Sequence, residues 1–185
     1  MTIILGIDPG SRKTGFGVIK QQGRKFEYIA SGVIHVAEHE FAKRLKIIFE
    51  SIQTVIERHN PKQVAIEQVF VGKSVSSALK LGQARGAAIT AAAVLDREVS
   101  EYSARQIKQA MTGTGSADKT QIQLMVKTVL KLSETPQEDA ADALACAICH
   151  AHTQQSLINM AGNKKGARNT TSRSAPSQYR HKRIS

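Results

Sequence analysis

Near the start of the chain, the pattern of apolar positions predicts three strands. Residues 3–8 form a β-branched run that Pro9-Gly10 ends, which is typical of a buried strand followed by a turn. Residues 14–20 and 25–36 are two further strand-like runs, joined around Gln22-Gly23. Together the three runs predict an antiparallel meander.

The rest of the chain alternates between helical and strand patterns. Apolar residues recur at helical spacing from Phe41 to Val55, and Asn60-Pro61 ends this helix. Thr135 and Glu138 form a capping box that starts the last helix, with a proline at its first position. The elements between and after these are, in chain order, a strand at 64–67, a helix at 76–95, a strand at 98–102 and helices at 103–110, 119–132 and 136–152. This order indicates an α/β domain with a mixed five-stranded sheet and helices on both faces.

Composition narrows the class of protein and its location. The 185 residues suffice for one domain, and with no Trp and 41% hydrophobic residues the core must consist of Ala, Val, Ile and Leu. No window approaches the run of about 18 apolar residues that a membrane-spanning helix needs. The first residues lack a basic region, so we expect no signal peptide. With two cysteines and no export signal, the expected compartment is the cytoplasm.

Positive charge is concentrated at the carboxyl end of the chain. The 26 Lys and Arg residues exceed the 15 Asp and Glu residues, and the net charge of +11 favours a polyanion as partner, most often nucleic acid. Residues 163–185 hold seven basic residues and no acid, which leaves 19 basic and 15 acidic residues, a net charge of +4, elsewhere. We predict a globular domain over 1–155 and a basic tail over 156–185 that is disordered when free. The tail is either a solubilising end or an arm that binds phosphates.

Four carboxylates lie at positions that suit catalysis. Asp8 and Glu67 end predicted strands, and strand ends beside loops are where α/β folds hold their ligands. Asp139 and Asp142 are three residues apart and share one face of an otherwise apolar helix segment. The predicted helix contains no Lys or Arg to pair with them, whereas a hard cation such as Mg²⁺ would pair with all four acids. The structural alternatives are that Asp8 begins a turn and that the helix acids favour the helix dipole.

Five segments, in order along the chain, resemble the RuvC family of Holliday junction resolvases. They are ILGIDPGS at 4–11, TGFG at 14–17, AIEQVF at 65–70, SALKLGQARG at 77–86 and DAADALA at 139–145. The resemblance runs from about residue 2 to His152 and implies a ribonuclease-H-like fold and a homodimer. The implied activity is an endodeoxyribonuclease that nicks two strands of a four-way junction symmetrically during homologous recombination and DNA repair. The tail matches no motif, so its role stays open.

The resemblance also assigns roles to individual residues. The family's Mg²⁺ ligands match the residues we call the four acids: Asp8, Glu67, Asp139 and Asp142. Two ions are expected per site, with Mn²⁺ able to substitute, and Lys108 and Lys119 are expected near the scissile phosphate. Phe70 is expected to contact unpaired bases at the junction centre, although an aromatic residue in an apolar run also suits a core. Lys80 and Arg85 are predicted to bind DNA, although they also suit the solvated face of a helix. The expected partner complex is a branch-migration motor of the RuvA and RuvB type.

Two other functions remain open from the sequence. One is a related ribonuclease-H-like nuclease that acts on RNA or on an RNA–DNA hybrid. The other is a non-catalytic nucleic-acid-binding module, which explains the charge but not the four acids. A kinase of the actin and sugar-kinase class, whose fold also opens on an acidic strand end, needs a second lobe for which the chain is too short.

A CxxCH sequence in the last predicted helix matches the haem attachment motif of c-type cytochromes. Cys146, Cys149 and His150 form it, within an apolar helix and without an export signal. Haem attachment needs an exposed, extended segment in an exported protein. We therefore expect both cysteines to be small buried hydrophobic residues behind Asp142.

Overall fold

A single mixed sheet of five strands organises the chain. The computed structural model describes residues 1–69 and 74–167, the last six by their backbone alone. The sheet has the order β3-β2-β1-β4-β5. The strands are β1 (Thr2–Asp8), β2 (Lys13–Gln22), β3 (Lys25–His35), β4 (Gln63–Glu67) and β5 (Glu98–Tyr102). β1, β2 and β3 are antiparallel neighbours, while β4 and β5 run parallel to β1, which confirms the predicted mixed sheet.

Helices cover both faces of the sheet, as predicted. They are α1 (Phe41–His59), α2 (Val75–Val94), α3 (Ala104–Thr112), α4 (Lys119–Leu130) and α5 (Glu138–Ala167). Alternation along each strand sends Leu5 and Ile7 towards α1 and α2, and Ile4 towards α3, α4 and α5. Among the described residues, no helix is long and apolar enough to cross a membrane.

Local capping explains most helix boundaries. Ser103 and Asp118 begin α3 and α4, each in a capping box with the glutamine three residues later. α1 ends just before Asn60, as the sequence predicted, and Asn60 adopts the left-handed conformation. Lys131 adopts the same conformation, so α4 ends at Leu130, two residues before its predicted end.

Both predicted ends of α5 differ from the structure. The helix begins at Glu138. The carbonyl of Gln137, the residue just before it, accepts a hydrogen bond from the Ala141 N–H at 2.8 Å. The Pro136 carbonyl instead accepts a hydrogen bond from the Gln123 side chain at 3.0 Å, so this residue stays outside the helix. At the other end the helix continues past His152 to Ala167. Residues Met1–Thr153 form one compact unit and Gln154–Ser185 a second; the predicted boundary at 155 and the disorder of the tail stay predictions.

Glycines in the central strands let α5 lie directly against the sheet. A Cβ atom on Gly6 would lie 2.0 Å from the Ala143 carbonyl oxygen, and one on Gly15 would lie 2.0 Å from the Asp139 carbonyl oxygen. Leu144 fills the space that a side chain at Gly17 would occupy. The bare strand surface therefore brings the first turns of α5 close to the end of β1.

Candidate active site

Two of the four acids lie side by side at the edge of the sheet. β1 and β4 are parallel neighbours, and Ile7 is paired with Ile66. The next residue of each strand, Asp8 and Glu67, is therefore carried to the same edge. In the structure both acids lie at strand ends, as the sequence predicted.

Three of the four acids and both predicted lysines meet around one cavity of about 320 Å³. Asp8 and Glu67 line it from the strand ends, and Asp142 lines it from α5. Lys108 of α3 and Lys119 of α4 complete the charged lining. A smaller cavity of about 170 Å³ shares Asp8 and Glu67 and extends the cleft along apolar side chains. A larger cavity, about 630 Å³ between β3 and residues 130–136, contains none of the predicted site residues, so size does not identify the site.

Burial and mutual repulsion hold protons on the carboxylates. The pKa of Asp8 is raised to about 8, first by burial and then by the charges of Glu67, Asp142 and Asp139. Burial raises the pKa of Glu67 to about 7, with a further contribution from Asp142. The pKa of Asp142 is also raised by burial, against the lowering effect of the Lys119 ammonium. The four acids are thus electrostatically coupled.

Asp139 is half-buried and adds to this coupling from beside the cavity lining. Within the described ranges, no three His, Cys, Asp or Glu side chains are close enough together to share a metal ion as they stand. The donor set nevertheless fits a hard divalent cation, because it consists of carboxylate oxygens whose charges raise one another's pKa. A positive ion among them would favour the charged form of each.

Lys119 has a partner that the sequence analysis missed. Its ammonium donates a hydrogen bond to the Glu138 carboxylate, which is the first cause of the raised pKa of Lys119. The available signal was Glu138 itself, an acid directly before Asp139, which the sequence analysis assigned to a capping box with Thr135. Lys108 is half-buried, and its charge lowers the pKa of Glu67 and Asp142 against the effect of burial.

The remaining predicted residues have different environments. Phe70 lies outside the described residues, so its role stays a prediction. Lys80 is exposed on α2. Arg85 points its guanidinium at neighbouring strands: Nε donates to the Glu67 carbonyl at 3.1 Å, and Nη2 lies 2.7 Å from a Glu101 carboxylate oxygen. DNA binding by Lys80 and Arg85 stays a prediction.

The CxxCH segment belongs to the core. Cys146 and Cys149 are free thiols, 0% and 2% exposed, which confirms the prediction of small buried residues. Burial raises the pKa of both thiols, so neither is a reactive thiolate. His150 is fully buried, and its Nδ1 shares a 2.8 Å hydrogen bond with the Tyr102 hydroxyl.

The fold defines a class of protein, a nuclease with the ribonuclease-H-like fold, and an acidic cavity lies at its strand ends. A family model described as Crossover junction endodeoxyribonuclease RuvC matches residues 4–150. The chain belongs to this RuvC family of metal-dependent hydrolytic nucleases, which confirms the resemblance seen in its motifs.

Individual relatives cover nearly the whole chain. The crossover junction endodeoxyribonuclease RuvC of Pseudoalteromonas translucida is 63% identical over 163 residues, which are 88% of this chain and 94% of the relative. That of Teredinibacter turnerae is 56% identical over 176 residues, 92% of this chain and 99% of the relative. Thermus thermophilus RuvC in complex with Holliday junction substrate has a TM-score of 0.80 at 33% identity, covering 84% of this chain and 96% of that one. The yeast mitochondrial Holliday junction resolvase Ydc2, at 15% identity and a TM-score of 0.67, shares the fold.

Proposed function

We propose that the chain resolves four-way DNA junctions by nicking two strands symmetrically, with Mg²⁺ held by the four acids. Membership of the crossover junction endodeoxyribonuclease family makes junction resolution in recombination and repair its activity. The observation that carries the proposal at this site is the single cavity where acids from β1, β4 and α5 face Lys108 and Lys119. An acidic cleft in a chain of net charge +11 suits a metal-bound phosphodiester rather than passive binding.

The acids provide oxygen ligands from three separate elements. Two Mg²⁺ ions, when bound, activate water and neutralise the phosphate and the leaving 3′-oxygen, and Mn²⁺ is expected to substitute. Asp8 and Glu67 have pKa values of about 8 and 7, so near neutral pH each holds a proton for part of the time. Cation binding therefore releases protons, and the site should bind metal more tightly as pH rises.

The two lysines balance charge around the scissile phosphate. Lys108 and Lys119 line the same cavity as the acids, and the hydrogen bond to Glu138 raises the pKa of Lys119, which favours its charged form. A fixed positive charge at this place offsets the negative charge that develops on the phosphate in the transition state. Glu138 orients the Lys119 ammonium from the first turn of α5.

DNA contacts are proposed on both sides of the cleft. Val69, the last described residue before Phe70, lines the smaller cavity beside Glu67. The proposed role of Phe70 is to stack on unpaired bases of the junction. The exposed ammonium of Lys80 and the basic residues of 163–185 would contact phosphates.

A homodimer, a motor complex and a cytoplasmic location complete the proposal. Symmetric nicks need two active sites, and the four acids supply one site per chain. α2 presents exposed Val75, Leu79 and Val94, and a Cβ atom on Gly82 or Gly86 would meet nothing within 4 Å, which supports helix contact between two copies. A branch-migration motor of the RuvA and RuvB type would deliver the junction. The two free buried cysteines are compatible with the reducing cytoplasm.

Substrate choice tests the proposal against its alternatives. Labelled four-way junction, linear duplex and RNA–DNA hybrid are each incubated with the chain, with and without Mg²⁺. We expect paired, symmetric cuts in the junction only, and only with Mg²⁺. Preferential cleavage of the hybrid would favour a ribonuclease, and binding without any cleavage would favour a non-catalytic module.

A further inference from the structure

We infer that Arg85 is a positioning residue for Glu67, whose backbone it holds at the end of β4. This role takes the place of the predicted DNA contact of Arg85. The inference rests on the proposed role of Glu67 as a metal ligand. It assigns to α2 a part in the metal site that is separate from any contact with DNA.

The Arg85 guanidinium bridges two neighbouring strands. Its Nε–H donates to the backbone carbonyl of Glu67 at 3.1 Å. Its Nη2 lies 2.7 Å from Oε2 of Glu101 on β5, without the alignment of a hydrogen bond. The Arg85 side chain is only 19% exposed, so both contacts are largely shielded from water. A planar guanidinium can hold two acceptors in this way, whereas an ammonium offers a single centre of charge.

Glu67 needs support because the strand ends with it. The last link between β4 and its neighbour is the Gln68 N–H, which donates to the Tyr102 carbonyl at 2.8 Å. The Glu67 carbonyl lies just before that link and is held by Arg85. A donor fixed to a backbone carbonyl limits the movement of the attached side chain, and ligand groups must stay close to their productive geometry.

Arg85 acts on Glu67 through the backbone. Burial is the main cause of the raised pKa of Glu67, and the charges acting on it come from Asp142, Lys108 and Lys119. The Arg85 charge lies against the carboxylate of Glu101. Contact with a DNA phosphate would require the guanidinium to leave that carboxylate, whereas the exposed Lys80 on the same helix is free of this requirement.

The test compares Arg85→Gln and Arg85→Lys with Lys80→Gln, which removes a proposed phosphate contact from the same helix and should therefore lower the salt slope without changing the Mg²⁺ requirement. Single-turnover junction cleavage is measured against Mg²⁺ concentration, and junction affinity against salt concentration in EDTA. Loss of a residue that supports a metal ligand typically costs 10–100-fold in metal affinity, so both Arg85 variants should need about tenfold more Mg²⁺ for half-maximal cleavage. Their junction affinity and its salt dependence should match those of the wild type. Amide hydrogen exchange over residues 63–69 should become faster.

Two results would overturn the inference. One is an unchanged Mg²⁺ requirement in both Arg85 variants. The other is a salt slope reduced by about 0.9 in Arg85→Gln and restored in Arg85→Lys, which is the signature of one phosphate contact. If Arg85→Gln fails to fold, Glu101→Gln decides: Glu101 is 47% exposed, and its loss should raise the Mg²⁺ requirement in the same direction by a smaller factor.

Failure of the proposed function gives a different result. Wild-type cleavage by Glu67→Gln would remove the metal-ligand role of Glu67 itself, whatever the Arg85 variants show. Loss of cleavage in Glu67→Gln, together with an unchanged Mg²⁺ requirement in Arg85→Gln and Glu101→Gln, would refute only the positioning role.

Discussion

Asp8, Glu67 and Asp142 each destabilise the folded chain when they carry their charge, because burial raises the pKa of all three. Asp8 shows this most clearly, because burial and three neighbouring carboxylates raise its pKa to about 8. Lys119 opposes that effect but is itself paired with Glu138. The charged carboxylates therefore repel one another, and a bound cation would reduce this repulsion. Such destabilising arrangements are typical of sites selected for function rather than for stability.

This repulsion predicts how stability depends on pH. The unfolded chain releases the protons of Asp8 and Glu67 near pH 3.8 and 4.5, whereas the folded chain releases them near pH 8 and 7. Their protonated forms therefore favour the folded chain; this contribution is fully present below pH 3.8 and is lost as pH rises to about 8, by at most about 1.4 kcal/mol per pH unit for each group.

Asp8→Asn isolates the effect. In EDTA, urea unfolding should show the variant gaining stability relative to the wild type between pH 5 and pH 8, and Mg²⁺ should narrow the difference. A difference between the two proteins that stays constant over this range would contradict the raised pKa of Asp8.

The buried pair of Tyr102 and His150 has a structural role behind the site. Burial lowers the pKa of His150, so the ring is neutral, and its Nε2 has no hydrogen-bond partner among the described residues. Tyr102→Phe removes the partner of Nδ1 and leaves the imidazole without one, at a cost of about 1–3 kcal/mol. Urea denaturation should measure this loss, while cleavage at low temperature stays near the wild-type rate. Unchanged stability would show that the hydrogen bond does not contribute.

At the scale of elements, the approach of α5 to the sheet is what assembles the site. Gly6→Ala would place a methyl group 2.0 Å from the Ala143 carbonyl oxygen, so the helix must move. We expect the variant to be destabilised by about 1–3 kcal/mol. We also expect it to cleave more slowly than the wild type at temperatures where it is still folded.

Gly32→Ala is the matched control. Its methyl group would meet the far end of the Phe16 ring at 2.8 Å, and a side chain can move aside where a backbone cannot. Thermal melting and single-turnover cleavage of both variants test the difference. Equal effects of the two substitutions would contradict the view that close contact between the α5 backbone and β1 positions the site residues.

The sequence predicted elements better than contacts between them. Hydrophobic periodicity placed β5 at 98–102 and located Asp8 and Glu67 at strand ends, because these features depend on neighbours along the chain. It could not predict that Lys119 pairs with Glu138 or that Arg85 holds Glu67, because both pairs depend on distances set by packing. The start of α5 was wrong for the same reason, since a side chain of another helix takes the carbonyl that a regular helix would use.

At the scale of the whole molecule, the basic tail and the four acids occupy separate parts of the sequence. Stopping the chain after residue 162 removes seven basic residues and none of the four acids. The slope of log affinity against log salt concentration should flatten by at most about 6 and more plausibly by 2–4 units, because each phosphate contact contributes about 0.9. Affinity for linear duplex should fall alongside that for junctions, while the cleavage rate at saturating protein stays the same. An unchanged slope would identify the tail as a solubilising end.

The most direct test of the account measures cleavage and binding separately in variants of the four acids. Asp8→Asn, Glu67→Gln, Asp139→Asn and Asp142→Asn are compared with Asp96→Asn, an exposed left-handed position where asparagine is well tolerated. Single-turnover cleavage of a labelled four-way junction in Mg²⁺ should fall by about 10²-fold or more in each of the four variants and stay unchanged in the control. Junction affinity in Ca²⁺ should persist or rise, because less negative charge faces the phosphates. Wild-type cleavage rates in all four variants would contradict the account.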